Sequence, residues 1–399
     1  QLRKLKDSKK YLTRARQVKE DSPKVLFLLA KVVGEMGDKS GEIQYYQDAV
    51  LADPDFFEAW FNLGVSLMDV DRKEEGAEAL EQALRLSRGN VEALQQLAQA
   101  LAESGKKAQS IYVLGQLATK LPDDPEVHFA LGSLMLETER AEEAVLPLER
   151  AAKLAPDRVD ILFNLAAAYQ ATGAEQKAQD TFERAYRKDP DDPDTVFQLS
   201  LAYGKAGKEQ KEIEFLHKVL ELKPDHADAL YNLAFALQRQ GKGDEAVKLF
   251  EEVARNSPND ADVFLSLGVT LQKMGKLDEA EKAIRRAAEL APDDPKAAYA
   301  LALINHSQGN SDAAADMYRK AVANNPDDAR AHYGLGLVLH GQGKLAEADR
   351  EYEAALKRDG KLADAWLGRG QVKEKQGQVE AALLMYEEAL RRDPDNPKV

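Results

Sequence analysis

Residues 159–192 read VDILFNLAAAYQATGAEQKAQDTFERAYRKDPDD. Leu162, Leu165, Ala166 and Tyr169 recur at spacings of three and four, the mark of an amphipathic helix. Gly173 interrupts that stripe and permits a tight turn. Ala178, Phe182 and Ala185 mark a second helix, and Pro190 follows where it cannot continue the backbone ladder. The next segment opens with Asp192-Pro193, a capping side chain followed by proline at the first helical position. Ser22-Pro23, Asp124-Pro125 and Asp294-Pro295 do the same. The stretch predicts helix, turn, helix, turn.

The same text recurs every 34 residues, eleven times, from residues 23, 57, 91, 125, 159, 193, 227, 261, 295, 329 and 363 as far as 396, leaving a tail at 397–399. Counted from each start, position 7 is leucine from Leu29 to Leu335 and becomes Arg369 in the last unit. Position 8 is small throughout, for example Ala30, Gly64, Ala98 and Gly132, and position 20 is mostly small, as in Gly76, Ser110, Ala144 and Ala178. Small residues on both helices let their axes approach. A fixed period of this length predicts an all-α solenoid, in which each unit buries its apolar face against its neighbours.

Trp60, Leu63, Gly64, Leu67, Gly76, Leu80 and Ala83 resemble the tetratricopeptide-repeat signature, as do Leu267, Gly268, Leu271, Ala280, Ile284, Ala287 and Pro292. The resemblance covers residues 23–396. It implies a right-handed α-α superhelix of antiparallel helix pairs, with the first helices lining a concave groove. Some units depart from the pattern. Glu42 and Glu212 stand where a small residue is expected, which predicts splayed or shifted helix pairs. Asn305 and Lys373 replace apolar residues, and Arg88 and Gly360 replace the closing proline. Leu5, Ser8, Leu12, Ala15 and Val18 match the second-helix stripe, so residues 1–22 read as the second helix of a truncated preceding repeat or as an N-terminal cap. At the far end, Arg369 and Lys373 polarise the last first helix, as expected of a unit whose outer face meets water.

The net charge of −14 is unevenly placed. Residues 1–22 carry a net of +5, residues 23–328 a net of −19, and residues 329–399 are balanced. An acidic trunk repels phosphate backbones, so nucleic acid is not the expected ligand. Arg3, Lys4, Lys6, Lys9, Lys10, Arg14, Arg16 and Lys19 form a basic start that fits a solvated helix face, an anionic lipid surface or an acidic protein. There are no cysteines, hence no disulfide framework and no thiolate metal site. No run of 18 apolar residues and no secretory signal pattern occurs. The cytoplasm is the favoured compartment, with the periplasm or a membrane anchor open if an upstream signal has been removed.

No phosphate-cradling loop is present, because the Gly-Lys pairs lie in turns and none precedes Ser or Thr. The six histidines are scattered, and the Asp-Asp-Pro runs read as capped inter-repeat turns rather than as metal ligands. We therefore expect no catalytic centre, no cofactor and no metal. Positions 2, 5, 9 and 12 share one stripe of the first helix, and in the resembled family that stripe faces the groove. Position 5 supplies Phe61, Phe129, Phe163, Phe197, Tyr231, Tyr299 and Tyr333. Position 2 supplies Asp160, Asp194 and Asp228, and position 6 supplies Asn62, Asn164, Gln198 and Asn232. These are the candidate peptide-binding residues. Aromatic anchors beside an acidic edge suit a protein or peptide with apolar side chains near Lys or Arg. The same rings could instead pack between neighbouring units. Chaperone-docking relatives use lysine at position 5 and asparagine at position 9, and neither occurs here. The expected function is a non-catalytic protein-interaction scaffold. By analogy with bacterial arrays of this kind, it would serve assembly of a pilus, secretion, envelope or polarity complex. The alternative is the substrate-recruiting arm of a larger enzyme, such as a glycosyltransferase, and self-association through the repeat ends stays open.

Overall fold

The computed structural model describes residues 2–18 and 22–394. The tail at 397–399, and Lys19 of the basic start, lie outside the described residues. Those residues form 23 α-helices and no strand. After α1 (Leu2–Val18), helices of thirteen and fourteen residues alternate without a slip of phase. The first helix of every pair begins at one of the eleven starts read from the sequence.

The chain divides into two compact units, Gln1–Ala206 and Gly207–Val399. The first holds α1, α2 (Pro23–Glu35), α3 (Lys39–Ala52), α4 (Phe57–Asp69), α5 (Lys73–Leu86), α6 (Val91–Glu103), α7 (Lys107–Lys120), α8 (Pro125–Glu137), α9 (Ala141–Leu154), α10 (Val159–Ala171), α11 (Glu175–Lys188) and α12 (Pro193–Lys205). The second opens with α13 (Glu209–Leu222), α14 (Ala227–Arg239) and α15 (Gly243–Asn256). It continues through α16 (Ala261–Lys273), α17 (Leu277–Leu290), α18 (Pro295–Ser307) and α19 (Ser311–Asn324) to α20 (Ala329–Gly341), α21 (Leu345–Arg358), α22 (Ala363–Lys375) and α23 (Val379–Arg392). Within each unit every helix packs on the next in chain order, and first helices also touch across a repeat, as α4 with α6, α8 with α10 and α20 with α22.

Each device has a local cause. The turn inside the helix pair needs one residue in the left-handed region, and position 15 supplies it in all eleven repeats. Nine are glycines; Asp71 and Glu139 adopt the same conformation at φ 63° and 59°. Asp124, Asp192 and Asp294 cap their helices by accepting from Glu126, Thr195 and Lys296 backbone N–H groups. Ser22 departs from that expectation and makes no side-chain cap bond.

Successive repeats are also tied through one carbonyl. The residue at position 32 accepts a ring N–H from position 4 of the next repeat: Trp60 Nε1 to Pro54 O at 2.9 Å, and Trp366 Nε1 to Gly360 O at 3.1 Å. His128 and His332 place Nε2 against Pro122 O and Pro326 O at 3.0 and 3.1 Å. Gly360 thus performs the same service as the prolines it replaces, since the acceptor is its carbonyl.

Two expectations are corrected. The pair α2–α3 is not splayed by Glu42. Gly34 faces that carboxylate and leaves room for it, and Ser66 Oγ donates to Glu42 Oε1 at 3.0 Å. Glu212 is likewise buried and is bonded by Arg239 of α14. Nor do Arg369 and Lys373 face water. They converge on Asp349 of α21 at 2.8 and 2.6 Å, and all three side chains are only about a fifth exposed. Asn305 is buried and returns its amide to Leu301 O at 2.8 Å.

Candidate functional site

In the first unit, the first helices present Phe61, Phe129, Phe163 and Phe197, all half-buried. Their rings do not stand free. Phe163 meets Phe182 of its own second helix edge-on at 5.7 Å, and Phe61 stacks on Phe57 at 6.1 Å. Phe129 lies under the Arg158 guanidinium at 5.7 Å. The same geometry recurs in the second unit, where Tyr231, Tyr299 and Tyr333 rest against Phe250, Tyr318 and Tyr352 at 5.7, 5.8 and 6.0 Å. Tyr231 also shares a bond with Ser266 Oγ at 3.1 Å. Burial pushes all three of these phenols above the ordinary tyrosine range. Position 5 is therefore a shared surface. The rings of Phe163, Tyr231, Tyr299 and Tyr333 each pack on the second helix of their own pair, and all remain half-exposed.

The acids and amides are partly engaged. Arg158 bonds Asp160 at 2.6 and 2.9 Å and also Glu126, so one guanidinium bridges position 2 of two successive repeats. Those hydrogen bonds hold Asp160 below the usual carboxylate range against the opposing effect of burial. Asp194 and Asp228, in separate units, are exposed and have no ion pair among the described residues. Asn62, Asn164 and Asn232 each donate to the carbonyl four residues back, those of Glu58, Asp160 and Asp228, at 2.6, 2.9 and 2.7 Å. Each amide keeps its oxygen and one N–H for a ligand. Gln198 is half-buried on α12.

One feature escaped the sequence reading. In the repeat that begins at Val91, position 5 is Gln95, where both neighbouring repeats carry phenylalanine, Phe61 and Phe129. The missing bulk leaves a cavity of 430 Å³ between α6, α7 and α8. Its wall is apolar, from Ala98, Ala102, Leu114, Val127 and Leu134, and Gln95, Gln99, Glu126 and Glu137 stand among the polar lining residues. Ser133 Oγ lines it too, buried and without a hydrogen-bond partner. The signal in the sequence was the glutamine that breaks a run of aromatics. Among the described residues no group of three His, Cys, Asp or Glu side chains could hold a metal, and no helix is long and apolar enough to cross a membrane.

Stacked helix pairs with a continuous row of first helices in each unit define a helical-repeat scaffold suited to protein–protein interaction. Tetratricopeptide-repeat family models match residues 67–134, 203–264 and 237–304, and also residues 129–193, 307–349 and 341–397. The chain belongs to the tetratricopeptide-repeat family. Among solved structures it is similar to MamA, residue 41 to the end, from Desulfovibrio magneticus RS-1, at 23% identity over 42% of this chain and 95% of that one, TM-score 0.41. It is also similar to a tetratricopeptide-repeat protein from Parabacteroides merdae ATCC 43184, at 18% identity over 62% and 98% of the two chains, TM-score 0.48. A chain of the APC/C hetero-tetramer Cut9–Hcn1 is similar at 12% identity over 99% and 92%, TM-score 0.48. No curated protein matches the chain in sequence.

Proposed function

We propose that this chain is a non-catalytic scaffold whose first-helix face binds an extended or helical segment of a partner protein, with its main anchor in the cavity between α6, α7 and α8. The observation that carries this reading is the interruption of the position-5 ring row at Gln95, beside 430 Å³ of apolar-walled space between α6, α7 and α8. That volume lies within the range of small-molecule and side-chain pockets. One Leu-, Met- or Phe-sized side chain would fill part of it. Buried apolar anchors of that kind dominate the affinity of most interfaces. Ser133 Oγ and the glutamine amides offer hydrogen bonds to the backbone beside the anchor. Phe129, Phe163 and Phe197 extend the same face along the unit, and Asp194 supplies an uncommitted acid for a Lys or Arg of the partner. Service in the assembly of a multiprotein machine is part of this reading. Recruitment of substrate to an attached catalytic domain is the alternative.

The test restores the ring that this repeat lacks. Gln95→Phe should fill the cavity and weaken a groove-bound partner by about tenfold or more, with helicity unchanged by circular dichroism. Partners would first be obtained by affinity capture on the full chain. Undiminished binding to a folded Gln95→Phe chain would remove the cavity from the site. The paired change Phe163→Ala with Phe197→Ala should also weaken groove binding, provided melting shows that the array is still folded.

A further inference from the structure

The outer side of the second helices carries a separate feature. Position 22 of the repeat is polar or charged in the first unit at Gln44, Glu78 and Asp180. Tyr112 and Leu146, on the consecutive second helices α7 and α9, break that pattern and are 71% and 74% exposed. Tyr112 stands between two hollows. The larger, of 550 Å³, has a floor of Leu94, Leu97 and Leu101 and a rim that includes Arg85 and Arg88. The smaller, of 460 Å³, is lined by Ile111, Gly115, Thr119 and Arg140. Ala108, Tyr112 and Gln116 belong to both.

Charge singles out the same place. In a chain of net charge −14, α7 is the one second helix from α3 onward with no Asp or Glu. Neither Arg85 nor Arg88 has a carboxylate partner among the described residues, and Arg85 reaches only Gln82 Oε1 at 3.4 Å. Glu81 is the single acid of the larger hollow, and Arg140 of the smaller one is held by Glu143 at 2.6 Å. Gly115 adds an independent mark. It lies inside α7, where glycine weakens a helix, yet a Cβ built on it would meet nothing within 4 Å. Packing within this chain does not require it, so the vacant space is available to a molecule from outside.

We propose that the outer face around Tyr112 binds an acidic segment of a partner protein. Its apolar side chain lies against Tyr112 over the leucine floor, and its carboxylates pair with Arg85 and Arg88. Desolvated arginine–carboxylate pairs beside an aromatic anchor are the recurrent chemistry of tight, specific contacts. This surface is separate from the first-helix groove and does not depend on that assignment.

The test selects a display library of short random peptides on the full chain. The enriched peptides should combine Asp or Glu with Leu, Phe, Met or Trp. They should bind about tenfold or more weakly to Tyr112→Ala and to the paired change Arg85→Glu with Arg88→Glu, and equally well to Gln95→Phe, which alters only the groove side. Both outer-face variants change exposed or rim side chains, and circular dichroism checks that they fold. No enrichment of acidic peptides, or binding of them that survives both outer-face variants, would overturn the proposal. So would a doubled mass in light scattering that Tyr112→Ala abolishes, because the face would then belong to a second copy of this chain.

Discussion

Gly34 and Glu42 are fitted to each other: a Cβ on Gly34 would lie 2.4 Å from Glu42 Cδ. Most other repeats place a small residue at position 20 and a larger one at position 12. Here the sizes are exchanged, and the buried carboxylate gains Ser66 Oγ at 3.0 Å and Lys39 Nζ at 3.0 Å. Gly34→Ala should therefore overpack the α2–α3 interface and cost about 1–3 kcal/mol. Glu42→Ala removes the obstruction, so the double variant should be more stable than the sum of the two single changes by about 1 kcal/mol. Urea unfolding of the four chains measures that coupling, and simple additivity would show that the two residues do not constrain each other.

Asp349 accepts from both Arg369 and Lys373 between α21 and α22. Burial pushes its carboxyl up, but the hydrogen bonds from Lys373 and Arg369 outweigh burial and hold it below the usual range. A carboxyl lowered in the folded state stabilises fully above its unfolded pKa of about 3.9, and that contribution is lost as pH falls through the folded value. The parent chain should thus lose this contribution below about pH 4. Asp349→Asn should cost about 2 kcal/mol at neutral pH and lose less stability on acidification. Denaturant midpoints of both chains at neutral pH and near pH 3 decide it. Equal acid losses would leave the cluster without a role.

Much of this architecture could be read from the residues before any coordinates. Gly173 and its equivalents mark the internal turn, Asp192-Pro193 and its equivalents mark helix starts, and the helices begin in that phase. The face of a helix is also legible, because spacing of three and four defines it. What lies opposite a side chain is not. Phe163 falls on the first-helix stripe that the spacing defines, yet its ring packs edge-on against Phe182, and only the spacing between helices reveals this. Position 20 taken by itself makes Glu42 a misfit. The glycine eight residues earlier, Gly34, resolves it. The cavity beside Gln95 was harder still, since a void is defined by what three helices together fail to fill.

Glu139 occupies the left-handed position that glycine fills in nine other repeats. A side chain with a Cβ pays about 1 kcal/mol for that conformation, while glycine pays more entropy on folding. Aspartate tolerates the region better than glutamate. Glu139→Gly should therefore raise stability by about 0.5 kcal/mol, and Asp71→Gly should gain less. Thermal melting of both variants tests the order. A loss in Glu139→Gly would mean that its side chain supports the α8–α9 turn in some other way.

Gly115 separates folding from binding in a single helix. Alanine is favoured over glycine by about 0.5–1 kcal/mol inside a helix, and nothing within 4 Å opposes the added methyl. Gly115→Ala should accordingly stabilise the chain by about that amount, measured by urea unfolding. At Gly64 the identical change meets Leu80 Cγ at 2.6 Å and Gly76 O at 3.0 Å, so Gly64→Ala should destabilise by about 1–3 kcal/mol. The two glycines differ only in what stands opposite them. If Gly115→Ala destabilised the chain as Gly64→Ala does, the space beside α7 would have to be filled from within the protein, and the outer face around Tyr112 would be part of the core rather than a surface for a partner.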